Sequence, residues 1–504
     1  MKSLFTALCL LLVTTVSAQS LEERFRAFQQ SAEMNYTSFR DAANQHYADF
    51  MREAWEPYDC APAVPAPEEE PVPPVIYEEP APELKPAPAP IPGMEPAPIP
   101  LVQIEQEERE IVIKELVTPP APQPQPEPID YPEPEPQTEE NACVFEYFGT
   151  ICTVRVPLQL LRLAGATNEH FADGWVSLSN GDYDATLADC LQLREALSLC
   201  DWAYLQMLYE LSKNAYLANN NESVLLCAWL YCQSGYQMRL ALDGGKLNLL
   251  YASQHTIYQK SYFTLDGQRY YPLKSFSKRL EICTVAFEKE QALSLYMLDN
   301  PHLASDYSAP RLLQSKKYSA LQVSVQTNQN LLSFYETYPS NELNSNPLTR
   351  WAMYANTPLT KDVRQMIYPA LYEHLQGETH RAAAEKLLNF VQTAFDYEYD
   401  DKVWGGDRAF FAEETLFYPY ADCEDRSVLF SRFVRDLLGL PVVLIYYPGH
   451  LATAVAFPED QQEGDYIMLD GIRFTICDPT YIGAPVGDTM PGMKNETAQV
   501  MLLE

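Results

Sequence analysis

The chain has 504 residues, which is too long for one hydrophobic core and predicts two to four folded units. Its 35 basic and 69 acidic residues give a formal net charge of −34. This balance argues against nucleic acid or an anionic membrane surface as a partner, because both need a basic face. The 11 cysteines include no Cys-x-x-Cys pair and no Cys/His cluster with metal-ligand spacing, so the sequence predicts neither a metal site nor a cofactor.

Residues 1–18 have the pattern of a signal peptide. Lys2 precedes an apolar run that ends in small residues up to Ala18. The run is too short to cross a bilayer. We therefore expect no membrane span and an exported protein, periplasmic or secreted, after cleavage near Ala18. In an oxidising compartment, Cys143 and Cys152 are close enough in sequence to pair across a hairpin.

Residues 19–60 are predicted to form an amphipathic helical segment. Aromatic residues recur there among charged ones at spacings of three and four, and no glycine interrupts them. Two interpretations stay open. The segment packs on the protein's own body, or it docks onto an envelope protein as a partner.

Residues 61–140 are predicted to be a Pro/Glu-rich linker. More than half of the chain's 40 prolines fall in this stretch. Proline fixes φ and removes the amide donor, so we expect a disordered, extended polyproline II spacer with a reach on the order of 200 Å. Only residues 101–117 carry enough apolar side chains to form a short local element.

Two stretches of the remaining chain resemble each other at a constant offset of 204 residues. The match needs no gap from about position 219 to 274, and its identities fall at turn glycines and apolar positions. Leu265-Asp266-Gly267, for example, recurs as Leu469-Asp470-Gly471. This pattern indicates an internal duplication. The predicted units are one copy over 141–280, a β-containing connector over 281–357 and a second copy over 358–504.

The second copy reads as helices followed by strands, so the predicted fold class is α+β. Two helices are expected within 360–397, and a third over 427–438 should end at Gly439. Four β-rich runs follow, and Asp470-Gly471 is a two-residue hairpin signal between the last two.

Three side chains of this copy suggest thiol chemistry. Cys423 lies near the start of the third helix, where free amides and the helix dipole should lower its pKa. His450 opens a strand and can move protons, and Asp478 ends a later strand and can orient the imidazole. Each also has a structural explanation: a buried thiol, a turn histidine and a turn former.

The surrounding motifs resemble those of the transglutaminase-like superfamily. They are Cys-x-Asp-x-Ser, Gly-His-x-Ala-x-Ala-Val and Asp-Pro-Thr-Tyr, in that order. The resemblance covers about 410–485, with the core starting near 360, although Ala421-Asp422 stands where the family often has a glycine. It implies a papain-like core, with a cysteine-bearing helix packed on an antiparallel sheet, and a Cys423, His450 and Asp478 triad. The Cys423 amide is then an expected oxyanion donor.

The upstream copy lacks this triad. At the 204-residue offset it carries Asn219, Lys246 and Lys274, which cannot support thiol chemistry. We therefore expect a degenerate copy beside an exported thiol hydrolase, a peptidase or amidase that acts on amide bonds of peptides or proteins. The alternative is a non-catalytic binding or scaffold protein of the envelope that uses the same fold.

Overall fold

The computed structural model describes residues 40–53, 55–67, 72–78, 109–128, 142–287, 289–406, 408–458, 463–493 and 498–503. The predicted signal peptide 1–18, the first half of the 19–60 segment and much of the linker lie outside these residues. Within the described ranges the fold is α+β, as predicted. None of the helices in these ranges is both long and apolar enough to cross a membrane.

Helices and strands occur in blocks along the chain. The helices are α1 (40–51), α2 (Asn168–Leu178), α3 (Asp184–Ala196), α4 (Asp201–Tyr216), α5 (Asn221–Gln233), α6 (Gln329–Tyr335), α7 (Thr349–Asn356), α8 (Lys361–Leu375), α9 (His380–Thr393), α10 (Asp400–Val403), α11 (Ala412–Phe417) and α12 (Cys423–Phe433). A π-helical turn, Val434–Leu438, extends α12 and ends at Gly439 in the left-handed region.

The strands fall into two main sets separated by the connector. They are β1 (Trp55–Asp59), β2 (Glu115–Val117), β3 (Ala142–Tyr147), β4 (Thr150–Arg155), β5 (Met238–Asp243), β6 (Lys246–Ala252), β7 (Thr256–Ile257), β8 (Phe263–Leu265), β9 (Gln268–Pro272), β10 (Arg279–Cys283), β11 (Arg311–Gln314), β12 (Gln322–Val325), β13 (Asn341–Glu342), β14 (Val442–Tyr447), β15 (His450–Val455), β16 (Tyr466–Leu469), β17 (Ile472–Cys477) and β18 (Gln499–Leu502).

Two six-stranded sheets organise the molecule. The first has the order β1-β10-β5-β6-β9-β8, and the second has the order β16-β17-β15-β14-β18-β2. Neighbouring strands are antiparallel except for the parallel β18–β2 pair. Helix α5 packs on β5 and β6 of the first sheet, and α12 packs on β14 and β15 of the second. We call the two helix-and-sheet assemblies the first unit and the second unit.

The strand pairing of the first unit recurs in the second, 204 positions later. Asp243 lies opposite Lys246 in the β5–β6 hairpin, and Tyr447 lies opposite His450 in the β14–β15 hairpin. The β6–β9 register recurs in β15–β17, and the β8–β9 register recurs in β16–β17. Helix, hairpin and two further strands therefore follow one plan in both units.

The turns explain why the glycines of the two stretches coincide. Gly245 and Gly449 close the first hairpin of each unit with φ values of +86° and +75°. A side chain is strained in this left-handed region, whereas glycine enters it freely. The Asp-Gly turns at 266–267 and 470–471 likewise have positive φ at both residues, as a type I′ hairpin turn requires.

The described part of the linker differs from the expected free spacer. Strand β2 pairs with β18 at one edge of the second sheet. Residues 61–67 and 72–78 lie against the body, and Gln125, after β2, donates hydrogen bonds to the Leu199 carbonyl and to Asp201. Open sheet edges offer unpaired amides and carbonyls, which an extended chain can satisfy even when it is rich in proline. Within the 101–117 stretch that the sequence singled out, residues 109–117 are described and contain strand β2.

The described part of the 19–60 segment packs on the body. It is helical only over 40–51, whereas Trp55–Asp59 form strand β1, which pairs with β10 at one edge of the first sheet. The helical prediction is wrong for these five residues, because the open sheet edge offers backbone partners to an extended chain. In α1, Tyr47, Ala48 and Met51 are buried in the main hydrophobic core. Arg40 forms a bidentate ion pair with Asp184, and Asn44 accepts a hydrogen bond from the indole of Trp175. The docking interpretation for residues 19–39 lies outside the described residues.

The connector carries more helix than its sequence indicated. The alternating run at 321–325 does form β12, which pairs with β11. Helices α6 and α7 were not predicted, and β10 crosses the predicted boundary at 280 to complete the first sheet. Cys143 and Cys152 lie on the β3–β4 hairpin but are not opposite each other, and both are free thiols.

Candidate functional site: a cysteine, histidine and aspartate beside a cleft

Cys423 is the first residue of α12, four residues before the predicted start of the helix. Asp422 caps the helix and accepts hydrogen bonds from the amides of Glu424 and Asp425. Asp425 in turn accepts from the Asp422 amide, which completes a capping box, and from the Phe410 amide. The helix start is thus fixed by two carboxylates, and the thiol sits between them in sequence.

Two further residues of α12 hold the helix in place. Arg426 is buried and donates to the carbonyls of Ala421, Gln392 and Phe395 over distances of 2.9–3.0 Å. Ser427 donates to the Leu451 carbonyl at 2.9 Å, which ties α12 to the strand that His450 opens. Arg426 therefore has a structural role, and Cys423 is brought beside the start of β15.

His450 and Asp478 are in direct contact. The His450 Nε2 atom lies 2.8 Å from Asp478 Oδ2, and both side chains are buried. The other Asp478 oxygen accepts from the amides of Thr480 and Tyr481, so the carboxylate is held on both sides. The His450 Nδ1 atom is buried and has no hydrogen-bond partner among the described residues. The hydrogen bond at Nε2 fixes the orientation of the imidazole ring, and Nδ1 can accept a proton.

A cleft of about 460 Å³ exposes this site. Cys423 and His450 both line it, although only 5% of Cys423 is accessible. The Leu451 amide, next to His450, hydrogen-bonds the Cys423 thiol and acts to lower its pKa. The aromatic side chains of Trp351, Tyr399 and Tyr446 form part of the wall. The structure therefore brings the three predicted residues together, two of them in the cleft and the third behind the imidazole.

The predicted lowering of the thiol pKa is not found. Burial raises the pKa of Cys423 well above its usual value, and the carboxylates of Asp422 and Glu424 raise it further. The first free amides of α12, which were expected to stabilise a thiolate, are bonded to Asp422 instead. Burial also raises the pKa of the Asp422 carboxyl, and the charges of Glu424 and Asp425 raise it further. Burial and the two neighbouring carboxylates therefore favour the protonated form of the Cys423 thiol.

Three consecutive residues at the helix start could hold a cation. One ligand atom from each of Asp422, Cys423 and Glu424 lies within 4.8 Å of the others, and all three are buried. The Cys423 sulfur lies 3.6 Å from a Glu424 oxygen. The cysteine spacings of the sequence did not indicate this cluster, because its three ligand atoms come from consecutive residues at one helix start.

Gln392 of α9 is a positioning residue that the sequence did not reveal. Its amide donates to the carbonyls of Asp478, Tyr481 and Ala484, and its oxygen accepts from the Gly483 amide. It thereby fixes the loop that carries Asp478. A polar residue at a buried position of the predicted helix was the available signal, but nothing in the sequence indicated its target.

An unpartnered donor lines the cleft. The Trp351 indole nitrogen is buried and has no hydrogen-bond partner among the described residues. Such a donor is suited to bind an acyl oxygen, so Trp351 can serve beside the Cys423 amide.

The first unit also has a cleft at the corresponding place. Its volume is about 710 Å³, and Asn219, Lys246 and Lys274 all line it. The amide of Asn219 donates to the Tyr209 hydroxyl at 2.7 Å, and burial lowers the pKa of Lys274. The three residues that replace the triad are thus brought together, but they include neither a nucleophilic thiol nor an imidazole.

The comparisons with known proteins identify no relative. No family model, curated protein or solved structure matches this chain.

Proposed function

We propose that this protein is a thiol hydrolase of the transglutaminase-like type, a peptidase or amidase that cleaves amide bonds of peptides or proteins at Cys423. One observation carries the proposal. His450 is hydrogen-bonded to Asp478 through Nε2, and it lines the same cleft as Cys423. Its Nδ1 atom is buried and has no hydrogen-bond partner among the described residues. This is the arrangement of an oriented general base.

The chemistry starts from a neutral thiol and a neutral imidazole. His450 takes the thiol proton on Nδ1 as the Cys423 sulfur attacks the acyl carbon, and Asp478 stabilises the imidazolium that forms. The tetrahedral oxyanion is bound by the Cys423 amide with Trp351 as a further donor. The C–N bond then breaks, His450 returns the proton to the leaving amine, and a thioester remains. A water molecule, deprotonated by His450, hydrolyses the thioester and restores the thiol.

A papain-like core and an internal duplication are part of the same proposal. The packing of a cysteine-bearing helix on an antiparallel sheet supports the core. The duplication is supported by a register that repeats over three strand pairs at the offset of 204 residues. In this interpretation the first unit is the degenerate copy. Export to the periplasm or the exterior remains a prediction of residues 1–18, outside the described residues.

A second candidate function rests on the raised pKa of Cys423. A thiol that is buried among carboxylates is a poor nucleophile until its proton is removed. In a non-catalytic envelope binding protein, the cleft would hold a partner and Cys423 would stay inert. The first unit, whose cleft lacks a triad, is consistent with that use of the fold.

Alkylation of Cys423 separates the two candidates. The mature protein is treated with iodoacetamide at pH 7.5, and the labelled cysteines are identified by mass spectrometry. We expect His450→Ala to slow the alkylation of Cys423 at least tenfold, because the proton acceptor is lost. Lys246→Ala, at the corresponding position of the first unit, is the matched control and should leave the rate unchanged.

A chelator is added in parallel, because Asp422, Cys423 and Glu424 are close enough to hold a cation. If a metal blocks the thiol, the chelator raises the rate in both variants. Equal rates for the unmodified chain and His450→Ala, with and without chelator, would reject the hydrolase in favour of the binding protein.

A further inference from the structure

A proline-containing part of the chain lies at the Cys423 cleft. Residues 61–67 and 72–78, which we call the cleft segment, approach it from both sides. Pro65, Ala66 and Pro67 line the cleft itself, together with Cys423 and His450. The site that would receive a substrate is therefore bordered by the protein's own chain.

On one side, the first unit holds the cleft segment. Ala61 forms an antiparallel bridge with Tyr262, and its amide donates to the Tyr262 carbonyl at 2.8 Å. Three residues later, the Val64 carbonyl accepts from the Gln259 amide at 2.7 Å. Gln259 lines the Cys423 cleft as well. These main-chain bonds fix the chain immediately before Pro65 enters the cleft.

On the other side, the segment is bonded to the neighbours of the two catalytic partners. The Val72 amide donates to the carbonyl of Gly449, which directly precedes His450, at 2.9 Å. The Tyr77 amide and the Val75 carbonyl both pair with Ile482 at 2.9 Å, in the loop after Asp478. The Tyr77 ring packs edge-on against Tyr481 with a centroid distance of 5.5 Å.

These contacts have the character of peptide recognition. An extended chain that pairs its backbone with a strand end gains affinity from main-chain hydrogen bonds, without regard to sequence. Proline-rich chains also bind aromatic walls readily, because the polyproline II conformation loses little entropy on binding. The cleft offers both, with the Gly449 carbonyl at its edge and Trp351, Tyr399 and Tyr446 in its wall.

We propose that the cleft segment lies along the Cys423 cleft as an intramolecular substrate mimic, so that the cleft takes an extended, proline- and alanine-rich polypeptide and binds it only when the segment is displaced. The segment mimics a substrate only if the proposed function is correct, so this part of the proposal rests on that function. The binding of the segment along the cleft does not depend on catalysis. A tethered peptide competes at an effective concentration of roughly millimolar, so weak contacts suffice to keep the site occupied.

The test measures peptide binding in a Cys423→Ser background, where thiol chemistry is absent. The probe is a fluorescein-labelled synthetic peptide of residues 61–78, followed by fluorescence anisotropy with the full mature chain. The segment is loosened by Val72→Pro, which removes the amide bonded to Gly449, together with Tyr77→Ala, which removes the ring on Tyr481. We expect the labelled peptide to bind this double variant at least tenfold more tightly than the chain with an intact segment.

Ile76→Ala is the matched control within the segment, because its side chain is 75% exposed. It should bind the peptide as weakly as the intact chain does. Equal binding of the labelled peptide to the intact and loosened chains, or binding to neither while circular dichroism shows both folded, would overturn the proposal.

The same loosened segment is then placed in the chain with Cys423 restored. If alkylation remains insensitive to His450→Ala there, the hydrolase fails while the occupancy proposal stands on the binding result. If peptide binding fails while alkylation depends on His450, only the substrate mimic is rejected.

Discussion

The two units share a backbone plan and differ in what their buried histidines do. His255 of the first unit is bonded at both nitrogens, to Asn341 at 2.7 Å and to the Leu295 amide at 2.9 Å. His450 of the second unit is bonded at Nε2 alone, and its Nδ1 has no partner in the described ranges. The His255 imidazole, with hydrogen bonds at both nitrogens, has a structural role. The His450 imidazole has a hydrogen bond at one nitrogen only, so its other nitrogen can accept a proton.

The difference extends to the helix that packs on each sheet. Both α5 and α12 begin with a capping box, formed around Asn220 in one and Asp422 in the other. In the second unit the turn after the cap contains Cys423 and the buried Arg426, whereas Glu222 stands at the Arg426 position in the first. The shared plan therefore depends on apolar and turn residues, and a few polar positions distinguish the two helix starts.

The largest expected effect tests the Arg426 position. Arg426→Met removes the donor to three buried carbonyls. We expect a loss of about 3–5 kcal/mol in the free energy of unfolding of the second unit, because each buried acceptor that loses its partner costs about 1–3 kcal/mol. Hydrogen exchange followed by mass spectrometry, with peptides assigned to each unit, measures where protection is lost.

Glu222→Met is the matched change in the first unit. Its side chain is only partly buried, so we expect less than about 1 kcal/mol. Similar losses for the two variants would show that the units do not differ in the way that we describe.

The next largest effect concerns acid stability and the His255 imidazole. Burial lowers the pKa of His255 to about 4. A histidine whose pKa is lowered on folding stabilises the protein above its unfolded pKa of about 6.5, and this stability is lost as the pH falls from there through 4. The shift corresponds to about 3 kcal/mol, because one pKa unit is worth about 1.4 kcal/mol.

Urea unfolding of the full mature chain between pH 7 and pH 4 measures this loss. His255→Gln keeps a donor and an acceptor but does not titrate, so its stability should fall less steeply than that of the unmodified chain. His302→Gln changes an exposed histidine and should keep the original slope. The same slope in all three chains would contradict the role of His255.

Much of this arrangement was accessible from the sequence. The offset of 204 residues predicted the strand register, because glycines and Asp-Gly pairs are fixed by turns that require positive φ. The motifs around Cys423, His450 and Asp478 predicted which side chains meet. Each of these signals lies within a short stretch of residues, so a single sequence is enough to detect it.

What the sequence did not reveal depends on distant contacts. The path of residues 72–78 is set by bonds to Gly449 and Ile482, more than 370 residues away, and proline content alone favoured a free spacer. The Gln392 contacts with the Asp478 loop and the unexpected helices α6 and α7 have the same origin. The pKa of Cys423 was mispredicted because the helix amides were assigned to the thiol, whereas the Asp422 side chain accepts them.

The smallest expected effect concerns the carboxylates that raise the Cys423 pKa. Glu424→Gln removes one of the carboxylates that raise the Cys423 pKa and keeps the size of the side chain. A lower thiol pKa gives more thiolate at any pH below it, so alkylation of Cys423 at pH 7.5 should become roughly three- to tenfold faster. The rate profile between pH 7 and 10 should also move towards lower pH.

Glu373→Gln is the control, because that carboxylate is exposed on α8 and should leave the profile in place. If Glu424→Gln slows the reaction instead, Glu424 assists in removing the thiol proton, a role that its oxygen 3.6 Å from the sulfur permits. The direction of the change therefore decides whether this carboxylate restrains the thiol or activates it. In the first unit, Asn220 holds the matching position and caps α5, and the residue before it is Asn219, so no thiol is present to be tuned.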